Sequence, residues 1–199
     1  FQLGAKLEPR HFSFNTHVGA CQSCDGLGSI FRADPEKLIT DPTRPLTDGA
    51  IGGKLGRYLV KGKGYYETLL RTVARSHRVN LDKPLEKLSA KHQALLLRGA
   101  GARASYEVHV SKQMRNFDFD QEYTSEWSGL CGHIDAWHAK TDDPEWAGIL
   151  ERVMTRQTCP VCHGERLAPA FRSVLVGRKR IPQVLGMTVE EALLWLGAL

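Results

Sequence analysis

Apolar positions along the chain follow two different periods. Over Tyr65 to Val79 they fall at Tyr66, Leu69, Leu70 and Val73, and over Pro84 to Leu97 at Leu85, Leu88, Leu95 and Leu96. Steps of three and four residues place these side chains on one helical face, so both segments are predicted helices. The same spacing predicts helices over Glu126 to His138, Pro144 to Met154 and Val189 to Leu196. Ser105 to Val110 instead alternates, with Tyr106, Val108 and Val110 on one side, which predicts a strand. Ser29 to Arg32 reads as another strand. Pro35 to Ile39 reads as a short helix, with Asp34 as N-cap and Pro35 at the first helical position. Phe171 to Val176 and Lys179 to Ile181 form a predicted hairpin over Gly177-Arg178. Between Ile39 and Tyr65, glycines and prolines predict a loop. Its segment Gly49-Ala50-Ile51-Gly52-Gly53-Lys54-Leu55 lacks the spacing and the Ser or Thr of a phosphate-binding loop.

With 199 residues, the chain is long enough for one large domain or a smaller one carrying an insertion. Apolar residues at 42% and charged residues at 25% are ordinary for a globular protein and argue against disorder. No apolar run approaches the roughly 18 residues of a membrane span. The opening Phe1-Gln2-Leu3-Gly4-Ala5-Lys6 has neither an initiator methionine nor a secretory pattern, and the chain reads as a piece of a longer protein. Net charge is +5, but unevenly spread. Lys54 to Arg115 holds 14 basic and 4 acidic residues, whereas Asn116 to Thr158 holds 3 basic and 9 acidic. A basic stretch of that size suits a polyanionic partner, and is also what a solvated helical face looks like.

Four of the five cysteines form two CxxC pairs, Cys21/Cys24 and Cys159/Cys162. Two thiolates on a tight turn can hold one ion, and two such turns complete the closed tetrahedral shell of a structural zinc. The 134 residues between Cys24 and Cys159 far exceed the about 12 to 20 of a compact zinc finger, so the half-sites must bracket an inserted domain. Cys21 to Gly28 reads CxxCxGxG and Cys159 to Arg166 reads CxxCxGxR. Glycine after the second thiolate permits positive φ and lets backbone N–H groups approach sulfur. A redox role would require a CxxC beside a βαβ pattern, which neither pair has. His11, His17 and His163 lie near the knuckles, but four sulfurs already suffice. Cys131, with His133 and His138, supplies only three candidate ligands and reads as an inert thiol on a half-buried helix.

The predicted fold is α+β, a four-cysteine zinc-knuckle base closed by two distant CxxC pairs, with a mixed helix and strand insertion domain. Residues 1–28 carry the first knuckle, 29–158 the insertion, and 159–199 the second knuckle with the start of a further helical region. Catalysis has little support within the chain. No GxSxG elbow or HExxH pair occurs, and Asp118, Asp120 and Glu122 read as a solvated acidic face.

His11-Phe12-Ser13-Phe14-Asn15-Thr16-His17-Val18-Gly19-Ala20-Cys21-Gln22-Ser23-Cys24-Asp25-Gly26-Leu27-Gly28 resembles the FSFN…GACxxCDGLG segment of the UvrA family, the DNA-damage-sensing ABC-type ATPases of bacterial nucleotide excision repair. Asp34-Pro35-Glu36-Lys37-Leu38-Ile39, Gly49-Ala50-Ile51 and the CxxCxGxRL run from Cys159 to Leu167 follow in the family's order. The large insertion between knuckles resembles that of the first ATPase half. Gly4 to Arg10 lacks the CPxCG element common in the excinuclease protein, and a housekeeping member and a divergent paralogue both fit.

The resemblance implies a structural Zn2+ on Cys21, Cys24, Cys159 and Cys162, and damaged double-stranded DNA as ligand. It implies a homodimeric parent in the cytoplasm, UvrB as a partner, and no membrane. ATP would belong to the parent, since the Walker and signature motifs lie outside these residues. Within the basic stretch, Arg98, Arg103, Lys112 and Arg115 flank the predicted strand and are the candidate phosphate contacts. CxxCxGxG is also the repeat of the DnaJ-type chaperone domain, which makes a zinc-dependent polypeptide-binding module the alternative. That domain uses four repeats at short spacing.

Overall fold

The computed structural model describes residues 6–61, 64–99, 104–113 and 118–199, with side chains described outside 110–120. Short helices combine with two-stranded sheets, an α+β arrangement. The chain divides into two compact units, one of Phe31–Thr155 and one in which Phe1–Ile30 is joined by Arg156–Leu199. The division falls within a strand pair, β1 (Ser29–Ala33) with β4 (Met154–Thr158).

In the unit Phe31–Thr155, α1 (Pro35–Leu38) begins as predicted: the Asp34 carboxylate accepts from the Glu36 N–H at 3.0 Å and Pro35 holds the first helical position. The loop expected up to Tyr65 contains α2 (Gly53–Val60). Gly53 and Gly56 disfavour a helix by propensity. Burial of Leu55, Leu59 and Val60 outweighs that cost, because their spacing turns one face inward. α3 (Tyr65–Ser76) buries Leu69, Leu70, Val73 and Ala74 and stops short of the predicted end.

Pro84 to Leu97 is not one helix. A single 3-10 turn at Leu85–Lys87 is followed by an extended Leu88, and α4 (Ala90–Arg98) starts afresh. Ser89 causes the break, its hydroxyl accepting from the His92 N–H at 3.2 Å as an N-cap.

β2 (Ser105–Gln113) is longer than expected and pairs antiparallel with β3 (Asp118–Glu126), in register from Ser105↔Glu126 to Gln113↔Asp118. β3 is hidden in the sequence because its aspartates and glutamates are poor strand formers; the ladder with β2 supplies what propensity lacks. Asp118, Asp120 and Glu122 therefore occupy alternate positions of a strand. α5 (Gly129–His138) starts later than predicted, after Trp127 is drawn inward and its indole N–H donates to the Leu95 carbonyl at 2.7 Å. α6 (Pro144–Glu151) is capped by Asp143, and Met154 belongs to β4. The core of this unit runs from Ala33 to Met154 and includes the fully buried Leu38, Leu46, Leu59, Leu96, Ile134 and Leu150.

The other unit contains α7 (Pro169–Arg172), the two-residue strands β5 (Leu175–Val176) and β6 (Lys179–Arg180), α8 (Ile181–Leu185) and α9 (Val189–Gly197). The predicted hairpin forms over Gly177-Arg178, both at positive φ as a two-residue hairpin turn demands, but its arms are shorter than expected: Phe171 and Arg172 belong to α7, which Pro169 starts, and Ile181 opens α8. None of α7, α8 or α9 contains a buried residue. Burial in this unit is concentrated around the cysteines, with Ala20, Leu167 and His11. Among the described residues no helix is long and apolar enough to cross a membrane.

Candidate metal centre

Each CxxC pair sits on its own tight turn, and the two turns clasp each other reciprocally. The Cys21 N–H donates to the Arg166 carbonyl at 2.8 Å, and the Cys159 N–H donates to the Gly28 carbonyl at 3.0 Å. Arg166 and Gly28 each stand four residues beyond the second cysteine of their turn. Ala20 and Leu167 extend the clasp as an antiparallel bridge. The local sequence similarity thus becomes a spatial pseudo-symmetry that carries all four thiols to one point.

All four sulfurs lie within 4.8 Å of one another and all four residues are buried. Cys24 Sγ and Cys162 Sγ are 3.6 Å apart. A disulfide would hold them at about 2.05 Å, whereas tetrahedral Zn–S bonds of about 2.3 Å put neighbouring sulfurs about 3.8 Å apart. The donor set and its spacing fit a structural zinc.

Gly26 and Gly28 do what the sequence requires of them. Gly26 has φ +74°, and a Cβ there would lie 1.9 Å from the Phe14 carbonyl oxygen. Gly28, at φ +76°, donates its N–H to Cys24 Sγ at 3.2 Å. The second knuckle departs from this pattern, since Arg166 takes φ +69° at the position matching Gly28. Its side chain offsets that strain: Nε donates to the Gly26 carbonyl at 2.6 Å, and the guanidinium stacks 3.7 Å over the Phe14 ring.

Burial pushes the Cys24 thiol up to about 12, and burial likewise raises Cys21. Cys159 goes the other way. Burial raises it, but hydrogen bonds from the backbone of Cys162 and Val161 and from the side chains of Cys162 and Ser23 outweigh burial and bring it down to about 6. Four clustered thiolates repel one another, and a divalent cation removes that repulsion.

The nearby histidines stay out of the cluster. His11 is buried against Phe171, rings 4.8 Å apart, and its Nδ1 accepts from the Glu8 N–H. His17 and His163 are exposed. Cys131 is buried in the core of the other unit, where burial pushes its thiol up to about 11, and no metal cluster forms around it among the described residues.

Of the candidate phosphate contacts, Arg98 is exposed at the last position of α4. Lys112 lies in β2 opposite Phe119 in the register. Arg103 and Arg115 lie outside the described residues. A basic face missed by the sequence reading lies along α2 and its C-cap, where Lys54, Arg57, Tyr58 and the capping Lys61 are all exposed. Its signal was the Leu55, Leu59 and Val60 spacing, masked by two glycines.

A family profile described as the UvrA DNA-binding domain matches residues 34–152, more than half of the chain. The chain belongs to the UvrA family. UvrABC system protein A of Staphylococcus epidermidis is 32% identical over 193 residues, covering 97% of this chain and 20% of that relative. The Staphylococcus aureus protein of the same name is 31% identical, covering 97% and 19%. The crystal structure of UvrA2 from Deinococcus radiodurans matches in fold, with a TM-score of 0.59 at 18% identity, over 92% of this chain and 22% of that one. The chain therefore spans about a fifth of the length of these UvrA relatives. Within it, the family match over residues 34–152 is accompanied by a four-cysteine cluster whose spacing suits a metal ion.

Proposed function

We propose that the chain is the zinc-held, DNA-contacting segment of a UvrA-type repair ATPase. The observation that carries this reading is the match of a DNA-binding family to residues 34–152, nearly the span that packs as a single unit, Phe31–Thr155. Cys21, Cys24, Cys159 and Cys162 are the ligands of one Zn2+, whose chemistry is structural: it closes a shell of four sulfurs and leaves no open position for substrate. Residues 1–28 and 159–199 form the base and 29–158 the insertion. Arg98, Arg103, Lys112 and Arg115 contact phosphates of damaged duplex DNA and respond to its shape rather than to base sequence. ATP binding, dimerisation and UvrB docking belong to the parent protein, in the cytoplasm.

Replacing those four basic residues with alanine tests the contact. Each lost phosphate contact should reduce the log–log salt slope of duplex binding by about 0.9. Metal content is the control, expected at one zinc per chain, lost when any of the four cysteines becomes serine and retained in Cys131→Ser. An unchanged slope and affinity removes these residues from the interface; a chain without zinc removes the metal assignment.

A further inference from the structure

α2 presents a stripe that neither the metal centre nor the four candidate contacts use. Lys54, Arg57 and Tyr58 stand at steps of three and one residues on a single helical face, and Lys61, the C-cap residue that follows, adds a third exposed cation at the end of the stripe. Tyr58 is 54% exposed, which singles it out, with Phe31, among the large hydrophobic side chains described in the unit Phe31–Thr155. Its ring is held rather than loose. Trp137 and Trp146 make T-shaped contacts with it, with centroids at 5.2 and 5.6 Å, and Tyr66 lies tilted to it at 5.9 Å. Tyr66 is itself tied down by the Trp137 indole N–H, which donates to its hydroxyl at 2.7 Å. Three aromatic neighbours hold the ring while the residue stays 54% exposed.

The surrounding charge favours an anion. Lys54 pairs with Glu145 at 2.8 Å, and Asp48 is shared between Lys61 at 2.8 Å and Arg44 at 3.5 Å. Arg57 has no ion-pair partner among the described residues. Four cations therefore face two carboxylates, both carboxylates well exposed, and exposed pairs of this kind are worth little and exchange readily. A rigid, open aromatic ring amid cations matches the requirements of an unpaired nucleotide: the ring stacks the base and the cations hold the flanking phosphates. A fully paired duplex offers phosphates but no free base face.

We propose that this α2 face binds unpaired DNA, with Tyr58 stacking an exposed base and Lys54, Arg57 and Lys61 holding the adjoining phosphates. The proposal rests on the DNA-contacting reading above and adds to it a preference for unstacked nucleotides.

The test is titration of the whole chain with oligothymidylate and, separately, with a fully paired duplex, followed by tryptophan fluorescence and fluorescence polarisation across a salt series. Tyr58→Ala should weaken oligothymidylate binding about ten-fold or more and leave duplex binding nearly unchanged. Tyr58→Phe keeps the ring and should bind as the parent chain does. Arg57→Ala removes an exposed, unpaired side chain, and should lower the salt slope for the single strand by about 0.7. Should Tyr58→Ala fail to fold, as judged by circular dichroism, the Phe and Arg57 variants decide. If Tyr58→Ala folds and binds oligothymidylate like the parent, or if Arg57→Ala leaves the slope unchanged, the proposal is overturned while the duplex reading stands. Binding to neither nucleic acid overturns both.

Discussion

At Gly26 a positive φ and a carbonyl in the way of any Cβ act at the same atom. Alanine there would have to adopt the left-handed region and displace Phe14, whose ring also carries the Arg166 guanidinium. Gly26→Ala should therefore destabilise the knuckle by about 2–4 kcal/mol and weaken metal retention, measurable by zinc competition with a chromogenic chelator. Wild-type retention would mean that the Phe14 segment yields without cost. The same contacts explain how Arg166 can sit where the other knuckle has glycine. A cation–π contact and a hydrogen bond each contribute about 1 kcal/mol, comparable with the cost of a non-glycine residue at positive φ.

Among the elements, α5 holds a titratable side chain in an apolar setting. His133 lies between Tyr66 and Trp127, with ring centroids at 5.3 and 5.2 Å, and its Nε2 is buried without a hydrogen-bond partner. Burial lowers its pKa, because the charged imidazolium would lose its hydration. A histidine lowered in the folded state binds fewer protons there than in the unfolded chain. Its stabilising effect is complete above the unfolded value of about 6.5 and is lost as pH falls from there toward the folded value. The thermal midpoint of the α5-containing unit should fall on acidification below about pH 6.5, and His133→Phe should remove that part of the decline. An identical slope in the variant would assign the acid sensitivity to other groups. Element boundaries follow a similar competition between local chemistry and packing. Ser89 ends what spacing alone would continue, and buried Leu55 and Leu59 build α2 across glycines that spacing alone would discount.

Viewed across the whole molecule, the two units depend on different forces. The unit Phe31–Thr155 buries a continuous apolar core, whereas the other has its four cysteines, Ala20, Leu167 and His11, with α9 exposing Val189, Leu193, Leu194 and Leu196. A unit with so little buried apolar surface is expected to draw much of its folding free energy from a metal bound to its cysteines. Calorimetry of the zinc-loaded chain should show two transitions. Chelation should abolish the one belonging to the cysteine-bearing unit and leave the other within a few degrees of its midpoint. A single transition lost entirely on chelation would mean that the apolar core cannot hold without the knuckles.

The metal centre was legible in the sequence because its chemistry is written in residue types at fixed short spacings: two CxxC turns, each followed by glycine, can do little else in a chain of this composition. The family was legible for the same reason, through ordered motifs flanking those turns. Asp34 and Pro35 announced α1, and the Tyr66, Leu69, Leu70 and Val73 spacing announced α3, because capping and amphipathic burial act within a few residues. Tertiary structure decided the rest. Only long-range pairing with β2 turns the acidic run from Asp118 to Glu126 into a strand, and only the backbone bonds between turns 134 residues apart make two half-sites into one cluster. The aromatic face on α2 also exists only in three dimensions. Tyr58, Tyr66, Trp137 and Trp146 come from four helices, and no spacing along the chain could have placed them around one another.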